Sequence, residues 1–517
     1  MPLDLDGPED DFDPFDLRSG PETAILSYLV AQAERRPDHV AIVDDRRSVT
    51  YRELVEEAFS LGKAIAAVAD PGQAVGIRLA DRAEGPIAIM ACLVAATPAV
   101  LMDNADPPER SAKLIAESQM AALITDIPQP GLACIAPGGH PPAAPYGRAL
   151  DQGAPAFIVW TSGSSGQPKG IVHSQRSVLF RAGLLVCSGH LNATDRYLSL
   201  NTPSSMGALL NAVAAWLAGA TLHRVDLAGS GLSGILRRVR QQKITAIIGV
   251  PAIYRALTRL SAARSDLESV RLVSSNGEAL LAADLEQLRR CLPAGCHVQM
   301  VYGATETQAG MRIVPRDEMP SGAQVAAGRP IEGVEYAIIR EDGRDAGQGE
   351  TGELLIRSRY TAIGEWRNGQ RVDGRLLPDE PRGSGLRRYA MGDLVRQRAD
   401  GAFIVVGRID RQLKLNGYRV EPVEVEAVLR TDPDVIDASV LPVQTLGRAE
   451  LVAFIAIREN ANENVLRHRL GQLLVANMPP HMRPQRLHLM QRLPLLSGNK
   501  VDAGALRRID QQSLADT

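Results

Sequence analysis

Short unbroken runs of apolar residues, each followed by a longer amphipathic stretch, recur along this chain from about residue 40 to residue 300. Val40-Ala-Ile-Val43, Ala74-Val-Gly-Ile-Arg78, Val100-Leu-Met102 and Ala122-Leu-Ile-Thr125 read as buried strands, because a strand covered on both faces has no polar side to alternate with. Residues 26–33, the segment after Thr50, and residues 85–96 and 110–118 read as helices. Thr50-Tyr-Arg-Glu53 has the spacing of a capping box, with a Thr at the N-cap answered three residues later by Glu. After Ala156-Phe-Ile-Val-Trp160 the same rhythm predicts helices at 175–187, 206–218, 251–263 and 279–290. Between them lie strands at 197–200, 246–250, 271–274 and 298–301. Alternating strands and helices imply βαβ units and a mostly parallel sheet.

The pattern changes after residue 330. Residues 330–360 alternate apolar and polar positions and predict a β-subdomain, whereas 367–388, dense in Arg and Gly, reads as an exposed loop. From about Arg411 a smaller unit begins, with strands at 413–415, 438–441 and 451–456 and helices at 422–430 and 464–476. The expected fold is α/β. A large N-terminal domain of stacked mixed or parallel sheets with helices and a β-subdomain spans 21–409, and a small, mobile α+β domain spans 410–517. Residues 1–20 are expected to be a disordered acidic tail.

Composition narrows the function classes. The chain has 517 residues and a net charge of only −3, with no long basic run, so nucleic acid is not an expected partner. Residues 85–102 are apolar enough to raise a membrane span, but Pro86 and Pro98 interrupt them and favour a helix buried against a sheet. Cys92, Cys134, Cys187, Cys291 and Cys296 lack C-x-x-C spacing and read as reduced thiols of a cytoplasmic protein. The acidic start, residues 1–16, fits neither a secretory signal nor a transit peptide.

The candidate chemistry centres on Thr161-Ser-Gly-Ser-Ser-Gly-Gln-Pro-Lys-Gly170, a loop leaving a buried strand. Gly163, Gly166 and Gly170 let the backbone turn its N–H groups inward, Thr161, Ser162, Ser164 and Ser165 add hydroxyls, and Lys169 adds a cation. These are the parts of a phosphate cradle. It is not a Walker A loop, because Pro168 precedes the lysine and Gly170 follows it.

This loop resembles that of the adenylate-forming superfamily, which includes acyl-CoA synthetases, luciferases and the adenylation domains of nonribosomal peptide synthetases. Further motifs follow in the family's order: Val301-Tyr-Gly-Ala-Thr-Glu-Thr307, Gly352-Glu-Leu-Leu-Ile-Arg357, Tyr389-Ala-Met-Gly-Asp-Leu394, Gly407-Arg-Ile-Asp410 with its continuation to Glu421, and Gly498-Asn-Lys-Val-Asp502. The resemblance implies an enzyme that joins a carboxylic acid to AMP at the expense of ATP and Mg²⁺, then moves the acyl group to a thiol. By it, Glu306 is the Mg²⁺ ligand, Thr305 and Gly303 belong to the phosphate turn, Tyr302 stacks on adenine, and Asn276-Gly277-Glu278 forms the opposite wall. Asp393 accepts from the ribose hydroxyls with help from Arg408, Lys500 bridges the carboxylate and the α-phosphate, Asp410 is the hinge of the small domain, and Gly417 lines the thiol tunnel. Met391 stands where the family usually has Thr or Ser, and His173 reads as a wall of the site or a structural residue.

The resemblance also locates an acid pocket at Met206, Gly207, Leu210, Ser274, Asn276, Val301, Ala309 and Gly310. Amino-acid-activating relatives carry an aspartate at the position of Met206, where it pairs with the substrate ammonium. Without that carboxylate a buried ammonium has no acceptor, so a hydroxy, acyl or aryl acid, or an amino acid held differently, is expected. The stretches 356–366 and 418–426 look more like synthetase domains than CoA ligases, and no Gly-Gly-x-Ser carrier signature follows Lys500. A separate carrier protein is thus the expected acceptor, with CoA as the alternative. A nucleotide-binding module without turnover is the remaining alternative, opposed by the presence of Lys169, Thr305, Glu306, Asp393 and Lys500.

Overall fold

The computed structural model describes residues 15–515 except 107, 144–150, 163–167, 261–262, 319, 321–323, 380–383, 410–412, 416–417, 421, 446–447, 479–482 and 497–500. Among the described residues, two large sheets carry most of the chain. One has eight strands and is built around Val75–Arg78, Ala99–Leu101, Ala122–Thr125 and Phe157–Ser162, paired in parallel. The other has nine, with a parallel centre of Arg196–Ser199, Thr221–His223, Ala246–Gly249, Leu272–Asn276 and His297–Gly303. The edges are antiparallel, as where Gln308–Val314 folds back on His297–Gly303. The sheets are therefore mixed.

One core cluster draws on both sheets and on the helices Glu84–Ala95, Gln175–Gly189 and Met206–Ala218 between them. These helices are apolar nearly all round, as burial between two sheets requires. Two of them start on short polar side chains: Ser174 and Ser205 accept from the backbone of Ser177 and Ala208, both at 3.2 Å. Thr50 and Glu53 form the expected capping box, with Thr50 N donating to Glu53 Oε2 at 2.7 Å. No described helix is long and apolar enough to cross a membrane.

The β-subdomain contains Glu335–Ile339, Thr351–Ser358, Leu377–Pro378, Arg387–Gln397 and Phe403–Arg408. The C-terminal unit packs the helices Pro422–Leu429 and Glu463–Asn477 on the sheet Val435–Thr445, Arg448–Ile457 and Arg486–Met490 around its own apolar cluster. The strand at 486–490 and the final helix, Ala503–Ala515, are elements that sequence patterning did not predict.

Three expectations need correction. The acidic tail is not disordered throughout: residues 15–20 are packed, with Phe15 against Tyr28 at 5.4 Å between ring centroids and its carbonyl accepting from the Cys187 thiol. The helix expected over 251–263 stops at Thr258, whose side-chain hydroxyl turns back onto Tyr254 O at 2.8 Å. The loop expected over 367–388 contains the strands Gln370–Val372 and Leu377–Pro378, and its Leu376 is fully buried.

Candidate active site

The phosphate-loop segment is a β-hairpin rather than a free loop. Phe157–Ser162 pairs antiparallel with Pro168–His173, so that Thr161 faces Lys169 and Trp160 faces Gly170. Gly163, Ser164, Ser165 and Gly166 lie outside the described residues. The returning strand makes Lys169 part of a sheet, and Gly364–Arg367 pairs on its other side. That neighbour brings Glu365 to the lysine: Lys169 Nζ lies 2.8 Å from Glu365 Oε1 and 3.5 Å from Glu306 Oε1. Glu365 also accepts from Arg367 Nη2 at 2.7 Å and from Arg375 N at 2.9 Å. Burial pushes its carboxyl upward, but the bonds from Lys169, Arg367 and Arg375 outweigh it and hold the group below the usual carboxylate range.

The turn carrying Glu306 is held from beneath. Ala304 N donates to Thr307 O at 2.8 Å, and the fully buried Arg181 donates to the carbonyls of Thr305 and Ala304 at 2.8 and 3.0 Å. Burial pushes Arg181 down to about 10, still charged at neutral pH, with Glu306 as the nearby anion. Gly303 is required at the entry to the turn, because a Cβ there would stand 2.5 Å from Thr307 O. Tyr389 hydrogen-bonds Glu306 from the β-subdomain. His173 is buried below, 3.3 Å from Ser177 Oγ, and burial pushes its pKa well below the usual imidazole range.

Asp393 closes the other side. Tyr302 Oη donates to Asp393 Oδ2 at 2.8 Å, and Arg408 Nη1 donates to Oδ1 at 2.8 Å. The preceding Gly392 has φ +71°, a conformation that suits glycine. Met391 is buried in the apolar cluster of Ile356, Tyr389 and Phe403, so its thioether packs and makes no polar contact. Gly277 also has positive φ, and Glu278 beyond it lies 3.9 Å from Arg255.

The pocket positions divide. Met206 and Leu210 are buried in the main core on the helix Met206–Ala218, with Val301 packed against that core. Ser274 turns its hydroxyl to Gln299 Oε1 at 2.6 Å, and Gln299 in turn reaches Ser188 at 2.7 Å. Asn276 accepts from Asn201 Nδ2 at 3.2 Å. Ala309 belongs to the cluster of Tyr389 and Met391, and Gly310 lets the chain at Gly328–Arg329 approach closely.

Lys500, Asp410 and Gly417 lie outside the described residues. Glu365, Arg181, Tyr389, Asn201 and Asn211 are residues of the site that sequence patterning missed. A signal existed for two of them: Arg181 is a lone cation in an otherwise apolar stretch, and Glu365 a lone anion between apolar neighbours.

Residues 29–366 match the family of AMP-binding enzymes, and 424–500 match the AMP-binding enzyme C-terminal domain. A component of the plipastatin synthase of Bacillus subtilis is 29% identical over 499 residues, which are 93% of this chain but 14% of that protein. The chain thus spans a small part of that relative. Dapdiamide synthesis protein DdaD of Enterobacter agglomerans is 29% identical over 493 residues, 93% of this chain and 81% of that protein. The anthranilate CoA ligase AuaEII, solved with anthranoyl-AMP, shares the fold at a TM-score of 0.84 and 23% identity, over 96% of this chain and 98% of that one. With a family match across more than half its length, the chain belongs to the AMP-binding enzymes, the adenylate-forming superfamily.

Proposed function

We propose that this protein activates a small carboxylic acid with ATP, releasing pyrophosphate and forming acyl-AMP, and then transfers the acyl group to the phosphopantetheine thiol of a separate carrier protein. The observation that carries this reading is that the turn Tyr302–Glu306 meets Lys169 at one end, 3.5 Å from Glu306 Oε1, and Asp393 at the other, 2.8 Å from Tyr302 Oη. Each supplies one need of the reaction. Lys169 and the hairpin N–H groups hold phosphate, Asp393 presents acceptors to a ribose, and Glu306 offers a hard oxygen donor.

Attack of a carboxylate on the α-phosphorus brings two anions together, so positioned cations lower the barrier. Lys500, carried by the small domain, is assigned to bridge carboxylate and α-phosphate, with Thr305 against the phosphates. We take the domain boundary at Asp410, the hinge, and Gly417 as a wall of the thiol path after rotation. Glu306 would hold magnesium as a single carboxylate, a hard oxygen donor of the kind the ion takes beside nucleotide phosphates. Magnesium, when bound, spreads the phosphate charge. A cytoplasmic setting is in keeping with free thiols and the need for ATP.

The buried Met206 offers no acceptor for an ammonium, which supports an acid other than an ordinary α-amino acid held in the usual way. The relationship to peptide synthetases favours a carrier protein as acceptor, and the likeness to a CoA ligase makes free CoA the second reading. Acid-dependent exchange of labelled pyrophosphate into ATP tests the first half-reaction, with loss of exchange expected in Lys500→Ala. ATP binding without exchange for any acid would overturn it. Acyl transfer assayed in parallel to CoA and to phosphopantetheinylated carrier proteins separates the two acceptors.

A further inference from the structure

A chain of amides runs from the sealed core at Tyr197 and Asn211 outward through Asn201 to Asn276 at the acid pocket. Tyr197 Oη donates to Asn211 Oδ1 at 3.2 Å. That turns Asn211 Nδ2 toward Ser199 Oγ and Asn201 Oδ1, both at 3.0 Å. Asn201 Nδ2 then donates to Asn276 Oδ1 at 3.2 Å. Tyr197 and Asn211 are each 1% exposed, so water cannot readily substitute for a broken link. Reversing any one amide alone would set donor against donor or acceptor against acceptor. Asn276 is therefore left with Nδ2 as its free group, at the carboxyl end of the parallel strand Leu272–Asn276, and that N–H has no partner among the described residues. Gly207 makes room for the chain, since a Cβ there would stand 2.9 Å from Asn201 Nδ2.

We infer that the acid bound here carries an oxygen acceptor, a hydroxyl or carbonyl, beside its carboxylate where an amino acid carries its ammonium, and that Asn276 reads this oxygen while Asn201 and Asn211 act as positioning residues. The inference rests on the adenylation reading above and names its substrate class. An ammonium brought to Asn276 Nδ2 would face a donor with a donor, and Met206 supplies no acceptor to relieve it. An oxygen completes the chain.

The test uses the full chain and pyrophosphate exchange with acids of one skeleton: 2-hydroxy-4-methylpentanoate, 2-oxo-4-methylpentanoate, 4-methylpentanoate and leucine, and in parallel 2-hydroxybenzoate, benzoate and 2-aminobenzoate. In the better series, kcat/KM for an oxygen-bearing member is expected to exceed that for the unsubstituted acid by about 10- to 100-fold, with the amino member lowest. Asn201→Ala should shrink that ratio toward one. Asn276→Asp keeps the bond from Asn201 but presents a carboxylate, and should shift preference toward the amino member. Robust exchange that favours the amino or unsubstituted acid in the unaltered protein would overturn this inference alone, and an unchanged ratio in Asn201→Ala would overturn the positioning role. Silence toward every acid would overturn the adenylation reading, and this one with it.

Discussion

Lys169 Nζ lies 2.8 Å from Oε1 of Glu365, a side chain wholly withdrawn from solvent. The lysine of a phosphate cradle is normally free to swing, but here a buried carboxylate on the neighbouring strand sets its position. The arrangement orients the ammonium between Glu365 and Glu306, where it can meet phosphate oxygens without searching rotamers.

Removing Glu365 should therefore affect ATP use before acid use. Glu365→Gln keeps the shape but removes the charge, and is expected to raise the KM for ATP by about tenfold while leaving the KM for the acid unchanged. Chemical denaturation should show a loss of about 2 kcal/mol, below the ~3–5 kcal/mol of a fully buried pair, because Lys169 retains some water. Equal effects on both KM values would argue that Glu365 acts through general stability.

Asp393 is held by two donors on opposite oxygens, Tyr302 and Arg408. Asp393→Asn replaces a charged acceptor by an amide that turns an N–H toward one of them. The expected loss is about 1.5–3 kcal/mol of nucleotide binding, a 10- to 100-fold rise in the Kd for ATP by titration calorimetry. Tyr302→Phe removes one neutral donor and should cost about tenfold or less.

Arg181 reaches the turn only through the carbonyls of Ala304 and Thr305. Arg181→Met fills similar space but leaves both carbonyls without their donor. It should lower stability by about 2–3 kcal/mol and reduce kcat more than it raises KM, because the turn positions Glu306. Arg181→Lys restores a charge without the two-pronged geometry and should recover stability only in part. Full recovery of kcat by lysine would show that charge alone matters.

His223 is fully buried in the strand Thr221–His223, with both ring nitrogens unpartnered among the described residues. Burial, helped by the nearby Arg196 charge, pushes it down to about 3. Because the unfolded chain takes up its proton near pH 6.5, the unfolded state binds more protons between those values, and stability falls as pH falls through that window. From pH 6.5 to pH 5 the loss is about 2 kcal/mol for this one residue. Urea midpoints at pH 7.5 and pH 5 should converge in His223→Leu relative to the unaltered protein. An unchanged gap between the two pH values would place the acid sensitivity elsewhere.

Much of the α/β core was legible because its signal is local. Apolar runs marked the strands, and Thr50 and Glu53 announced their own capping box by spacing alone. Boundaries were less legible: the helix that starts at Pro251 stops at Thr258, and nothing in the apolar pattern of 251–263 marks that residue as a stop. Glycine and serine make Thr161–Gly170 look like a loop, yet Lys169 pairs with Thr161, and the strand running on from Gly170 pairs with Gly364–Trp366, nearly two hundred residues away.

The sequence by itself determined the chemistry available, since the loop lysine, the Thr-Glu turn and the Gly-Asp pair are residue types set at fixed local spacing. Only the tertiary structure decided how those groups are held. Glu365 beside Lys169, Arg181 under Thr305, and the relay from Tyr197 through Asn211 and Asn201 to Asn276 join residues 75 to 196 positions apart or bury them in the core. The physical reason is that a hydrogen bond between distant segments depends on how sheets and helices pack, and packing leaves no periodic trace at the single polar residues it brings together.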